Sequence, residues 1–253
     1  MFRTARTLGL ATTAASMLAL APALLVAQSN QVAAWEKKMA EAEAQLRRGD
    51  HKRIHRSMHE VAGQMGETLG TDPAATRLLA RATAWLALAE AGLDELEAAR
   101  WDWTVATTLA PELARLDLSR YGEAGKRLSA QPAPPPVPAE PATTPASRKK
   151  GRAIAYPLSR LMACPETPVE VSVTVGADGR PRAPRLEPLP DAILAWAALE
   201  TLRTWSFEPA TRDGRPVEST FTLRTDLNPK TCRDQLAVRR RFTDGVDIRV
   251  EGE

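Results

Sequence analysis

Apolar residues recur every three or four positions through the first half of the chain and every second position in parts of the second half. Trp35, Met39, Ala42 and Leu46 fall on one stripe and predict a helix over 35–46, ended by Gly49-Asp50. Ile54, Met58, Val61, Met65 and Leu69 predict a second helix over 51–69. Thr71-Asp72-Pro73 reads as a stop, an N-cap and a first-turn proline. A third helix follows over 74–91. Gly92 turns the chain, Asp94 is expected to cap a fourth helix ending at Leu109, and Ala110-Pro111 to start a fifth. Further on, Val169, Val171, Val173 and Val175 alternate with Glu170, Ser172 and Thr174, as in a strand with one buried face. Gly176-Ala177-Asp178-Gly179 predicts a hairpin turn. A second strand over 180–186 carries Pro181 and Pro184, which predict irregular edge pairing. Pro190-Asp191 opens a helix with Leu194, Ala198, Leu202 and Trp205 on one face. After the Asp213-Gly214 turn, Ser219, Phe221, Leu223 and Thr225 share one face of a third strand over 217–227. The order strand, hairpin, strand, helix, strand predicts a small α+β layer with an antiparallel sheet and one packed helix. Trp205, Phe207 and Pro209 are its expected core residues.

Between the two textures, residues 131–146 contain Pro132, Pro134, Pro135, Pro136, Pro138, Pro141 and Pro145. Such a segment reads as a semi-rigid polyproline-II spacer, about 50 Å long at ~3.1 Å per residue. Arg148-Lys149-Lys150 follows as a basic cluster expected to be solvated. At the amino terminus, Arg3 and Arg6 precede an uncharged stretch, densest in apolar residues over 17–26, with Ala21-Pro22-Ala23 and Ala27-Gln28 as small-residue cleavage candidates. That order predicts a secretory signal peptide over 1–27 and export to the periplasm. The alternative is an uncleaved membrane anchor over 8–27. The predicted organisation is a signal over 1–27, a helical domain over 28–130, a Pro-rich linker over 131–150, an α+β domain over 151–230 and a tail over 231–253.

Composition narrows the function. The 253 residues hold 34 Lys and Arg against 31 Asp and Glu, a net charge of +3, too balanced for a nucleic-acid binder. No Gly-x-Ser-x-Gly, phosphate loop or metal signature is present, so no catalytic residue and no cofactor is predicted. His51, His55 and His59 stand at helical spacing, but Lys52, Arg53 and Arg56 crowd them, and a solvated polar face is the expectation rather than a metal site. Export turns Cys164 and Cys232, which flank the α+β layer, into an expected disulfide.

Two resemblances follow from the residues. Residues 74–111 resemble a tetratricopeptide repeat, with Leu86-Ala87 in the first helix, Ala99, Trp103 and Ala106 in the second, and the terminal Pro111. Thr83 and Glu90 depart from that pattern, where aromatics are usual. Tyr156-Pro157, the valine strand, Asp178-Gly179, Ala197-Ala198-Leu199, Trp205-Ser206-Phe207-Glu208-Pro209-Ala210 and Asp213-Gly214-Arg215-Pro216-Val217 together resemble the TonB carboxy-terminal domain family. That resemblance implies a non-catalytic envelope module gripping an extended peptide, such as one from an outer-membrane receptor, by adding it to a sheet edge. The edge strand here would be 218–226, with Glu218, Thr220, Thr222 and Arg224 along it. The resulting reading is an exported periplasmic adaptor that binds other envelope proteins. The alternative is an inner-membrane-anchored energy transducer, in which residues 8–27 stay in the membrane.

Overall fold

The computed structural model describes residues 20–69, 73–130, 144–166, 168–186, 191–225 and 227–250. The chain is α+β: a helical half precedes a half built on small antiparallel sheets. Helices α1 (Leu20–Leu46), α2 (His51–Thr68), α3 (Pro73–Gly92) and α4 (Leu96–Leu109) follow the apolar spacing. Trp35, Met39, Ala42 and Leu46 of α1 are buried, as are Ile54, Met58, Val61 and Met65 of α2. Helix α3 starts at Pro73, where a missing N–H leaves no carbonyl unsatisfied. Its alanines and leucines are buried on almost every side, so it is the central helix on which α1, α2, α4 and α5 (Gly122–Ser129) pack.

Two expectations about this half are corrected. Asp94 does not cap α4; its φ is +68°, a left-handed position that Asp tolerates better than most residues, and it helps close α3. Here the Glu95 N–H bonds back to the Glu90 carbonyl, and α4 begins without a side-chain cap. Pro111 does not start a long helix. It opens a 3-10 turn (Pro111–Arg115) that ends at the extended Leu116. A second turn (Leu118–Tyr121), held by the Asp117 carboxylate accepting from the Ser119 N–H, precedes α5.

Residues 131–143, which hold most of the expected spacer, lie outside the described residues, as do residues 1–19 of the expected signal. Helix α1 runs through the Ala27-Gln28 junction. Among the described residues no helix is long and apolar enough to cross a membrane. The expected linker ends early: Thr144 bridges to Thr211, and β1 (Ser147–Lys150) pairs antiparallel with β4 (Ser206–Glu208). Arg148-Lys149-Lys150 is therefore strand, and its residues are exposed, as expected of a solvated basic cluster. The Arg148 guanidinium lies 4.8 Å from the centre of the Trp205 ring, and Lys149 meets Glu208 at 2.8 Å. An aromatic face favours a cation, which accounts for a basic residue at this strand position.

In the main sheet the strand order is β3 (Pro181–Leu186), β2 (Val169–Val175), β7 (Ser219–Thr225), with both pairings antiparallel. The four β2 valines are buried beneath α7 (Ala192–Arg203), whose Ile193, Leu194, Ala198 and Leu202 face them. Helix α7 opens on Asp191, whose carboxylate accepts from the Leu194 N–H at 3.0 Å. The β2–β3 turn needs Gly179: its φ is +74°, and its carbonyl accepts from the Phe207 N–H at 2.9 Å. Trp205, Phe207 and Phe221 form an aromatic cluster with ring centroids 4.9–6.3 Å apart. Trp205 and Phe207 are buried, whereas Pro209 is half-buried. Strands β5 (Ala210–Arg212) and β6 (Arg215–Val217) make a separate hairpin.

The expected tail contains a helix, α8 (Pro229–Val250), packed on α6 (Leu158–Ala163). A disulfide joins Cys164, at the end of α6, to Cys232, in the first turn of α8, across a separation of 68 residues. A cross-link spanning the whole sheet restricts the unfolded chain. Replacing both cysteines with serine is expected to lower stability by about 2–4 kcal/mol. Urea unfolding of the oxidised protein and the variant measures that difference.

Candidate functional site

Strand β7 is the outermost strand of the main sheet, and among the described residues β2 is its one strand partner. Its residues alternate, with Phe221 and Leu223 turned toward the core and Thr220, Thr222 and Arg224 exposed. Thr220 stands opposite Thr174, Thr222 opposite Ser172, and Arg224 opposite Glu170. Glu218 is half-buried and precedes the strand, so the edge begins at Ser219 rather than at Glu218. An outer strand of this length presents alternate N–H and C=O groups away from its neighbour, which is the template that an added strand requires.

The opposite edge is managed differently. β3 is irregular: the register slips between Ser172 and Thr174, Ala183 has a φ of +44°, and Pro181 and Pro184 lack donors. Helix α4 from the helical half also packs along it, with Glu97 3.9 Å from Arg182. One edge of the sheet is thus covered by the chain itself, and the other pairs with no further strand among the described residues.

A charged cluster joins the helical half to the sheet half. Arg203, in the last turn of α7, donates from Nη1 to both oxygens of Asp102 at 3.0 Å and from Nη2 to Glu90 Oε1 at 2.8 Å. Glu90 on α3 and Asp102 on α4 are both buried. Glu200, one turn before Arg203, completes a group of three carboxyls around one guanidinium. Burial first, and the Asp102 charge second, push Glu90 up to about 9 against the pull of Arg203. Burial and Asp102 likewise push Glu200 up to about 7, and burial raises Asp102. Arg203 is held more firmly protonated by the acids around it, which outweigh its own burial.

These raised values have a consequence for stability. The unfolded chain releases these protons near 4.5, whereas the folded chain keeps them to about 7 and about 9. Between those limits the folded state binds more protons, so stability is fullest below pH 4.5 as far as these groups decide it and is lost as pH rises through 7 to 9. The thermal midpoint is therefore expected to fall by several degrees from pH 5 to pH 9, since each kcal/mol is worth about 2–4 °C in a chain of this size. Glu90→Gln should flatten that dependence in a melting series.

A second buried ion pair sits near the same junction. Arg160 on α6 meets Asp191 at 2.9 Å, and its Nη2 donates to the Leu69 carbonyl at the end of α2 at 3.4 Å. On the surface, Arg239 of α8 binds both oxygens of Glu67 at 3.0 Å, and the Leu158 N–H donates to the same carboxylate at 2.8 Å. Burial pushes Glu67 up, but those hydrogen bonds and the Arg239 charge outweigh it and hold the carboxyl below its usual range.

His59 is exposed, as a solvated face requires, whereas His51 and His55 are half-buried. His51 packs its ring on Gly92, where a Cβ would overlap it, and burial lowers its pKa. His55 Nε2 lies 3.9 Å from Glu90 Oε1, and with Glu95 makes a group of potential donor atoms. Arg203 already supplies the positive charge at Glu90. Sequence reading missed Arg203, Asp102, Arg160 and Asp191 as partners. Glu90 did leave a signal, because a carboxylate stands where the repeat pattern has an aromatic.

Comparison with known proteins places only the second half. No curated protein matches the chain. Among solved structures, the solution NMR structure of the Pseudomonas aeruginosa TonB carboxy-terminal domain is similar, at 21% identity, covering 33% of this chain and 85% of that one, with a TM-score of 0.28. Residues 152–227 match the family described as Gram-negative bacterial TonB protein C-terminal. The match begins two residues after β1 and ends two residues after β7, so it encloses the main sheet, α7 and the outer strand, and this segment of the chain is similar to that family.

Proposed function

We propose that the protein is an exported envelope adaptor whose TonB-like domain binds an extended peptide by adding it as a strand to β7. The observation that carries this reading is the asymmetry of the sheet: β3 is broken by prolines and covered by α4, while β7 is regular and outermost. Main-chain groups would supply the affinity, and Thr220, Thr222 and Arg224 would set what the partner presents beside them. The helical half, with its repeat-like α3–α4 hairpin, serves as a second protein-binding unit clamped to the first through Arg203. That clamp favours an adaptor over a transducer that must stretch across the periplasm. The function is binding, not catalysis, and export through residues 1–27 belongs to the same reading.

Photocrosslinking tests this. A benzoylphenylalanine placed at Thr222 in the full chain, expressed in the envelope of a Gram-negative cell, is expected to form adducts with an outer-membrane receptor. The same probe at Arg185 on β3 should form none. Adducts at Arg185 and none at Thr222 would reverse the assignment of the binding edge.

A further inference from the structure

Between α2 and α7 the chain leaves an open cleft of about 290 Å³, apart from the sheet edge and sharing only Glu200 with the Arg203 cluster. Its shape comes from two glycines inside α2, where glycine costs about 1 kcal/mol relative to alanine. Gly66 is required by packing, because a Cβ there would overlap the Trp196 ring. Gly63 is not: a Cβ would meet nothing within 4 Å, so its missing side chain leaves open space in front of Trp196.

The cleft is small, and its charged lining residues are Glu67, Arg152 and Glu200. The half-buried Trp196 ring forms one wall, and Glu200 stands one helical turn further along α7. No hydrogen bond to the Glu200 carboxyl is formed among the described residues. The cation beside it, Arg203, is already committed to Asp102 and Glu90. Across the cleft, Glu67 is satisfied by Arg239 and the Leu158 N–H, and the exposed Arg152 stands at the margin. Asp102 and Glu90 do not line the cleft; they hold the Arg203 guanidinium behind Glu200, and His59 of α2 lies near Asp102. An aromatic face beside a carboxyl that makes no hydrogen bond suits a cation with an apolar stem. Its volume lies at the lower end for ligand sites, which suits a short ligand rather than a folded segment.

We propose that this cleft binds an alkylammonium group, its chain laid against Trp196 and its charge on Glu200. Such a ligand is either a free diamine or the side chain of a lysine. The bound cation favours ionised Glu200, whose proton is otherwise kept to about 7, so affinity rises from pH 6 to pH 8 while the amine itself stays protonated.

Isothermal titration of the full chain with cadaverine, and separately with an acetylated, amidated lysine tripeptide, tests the site. Pentanol and pentanoate serve as neutral and anionic controls. Binding of at least one amine is expected, up to about tenfold tighter at pH 8 than at pH 6, with a shift of the Trp196 indole signal in NMR spectra. Tighter cadaverine assigns a free diamine, and a tighter tripeptide assigns a lysine side chain. Glu200→Gln, which keeps the shape and the neutral state, should weaken binding at pH 8 at least tenfold. Gly63→Leu fills the opening without a clash at Cβ and should abolish binding while the protein melts as the parent does. Absence of amine binding, equal binding of pentanol or pentanoate, or unchanged affinity in both variants would overturn the proposal.

Discussion

Replacing Arg203 with alanine should destabilise the protein by about 3–5 kcal/mol, the usual result of removing one member of a buried charged cluster. The reason lies in what remains. Asp102 is buried at 1% exposure and takes both oxygens' hydrogen bonds from Arg203, and Glu90 at 2% takes another. Without the guanidinium these groups keep their desolvation cost and lose their partner. The loss falls on the junction between the halves, so unfolding in urea should also change from one transition to two as the sheet half and the helical half uncouple. A triple variant, Arg203→Met, Glu90→Gln and Asp102→Asn, should recover most of the stability, because no uncompensated charge is left inside. A loss below about 1 kcal/mol for Arg203→Ala would mean that water reaches the cluster and that the clamp does not hold the halves together.

The second large effect belongs to Trp205. Its ring touches Phe207 and Phe221, its indole N–H donates to the Arg152 carbonyl at 3.0 Å, and the Arg148 guanidinium covers its face. Truncation to alanine removes a buried aromatic and leaves a cavity among side chains that cannot close over it, at a cost of about 3–5 kcal/mol. Strand β1 would suffer as well, since Arg148 and the Arg152 carbonyl both depend on that indole. Loss of ordered β1 amides together with the melting shift identifies this mechanism. A Trp205→Ala variant that melts like its parent would contradict the placement of Trp205 at the centre of this layer.

How far the sequence foretold this differs from element to element. Val169–Val175 announced its buried face through strict alternation, and α2 through its apolar stripe, because one-sided burial writes its period directly into the residues. The outward position of β7 was readable from the resemblance, since sheet order follows topology. What stayed hidden depends on contacts between residues far apart in sequence. Arg203 lies 101 residues from Asp102 and 113 from Glu90, and no local pattern marks a charge as buried by a distant helix. Strand β1 was hidden for the same reason: Ser-Arg-Lys-Lys has no apolar face, and only pairing with β4 and the Trp205 ring makes it a strand. Glu90 is the intermediate case, a polar residue on an otherwise apolar face that hinted at a partner without naming it.

The open edge of β7 is tested most directly by hydrogen exchange of its amides in the free, full-length protein. Paired on one side only, the strand should show alternating protection along Ser219–Thr225, slow where the N–H points to β2 and fast where it points outward, with the fast set slowing once a peptide is bound. Uniform protection in the free protein would show that the edge is already occupied, and strand addition at β7 would then have to be abandoned.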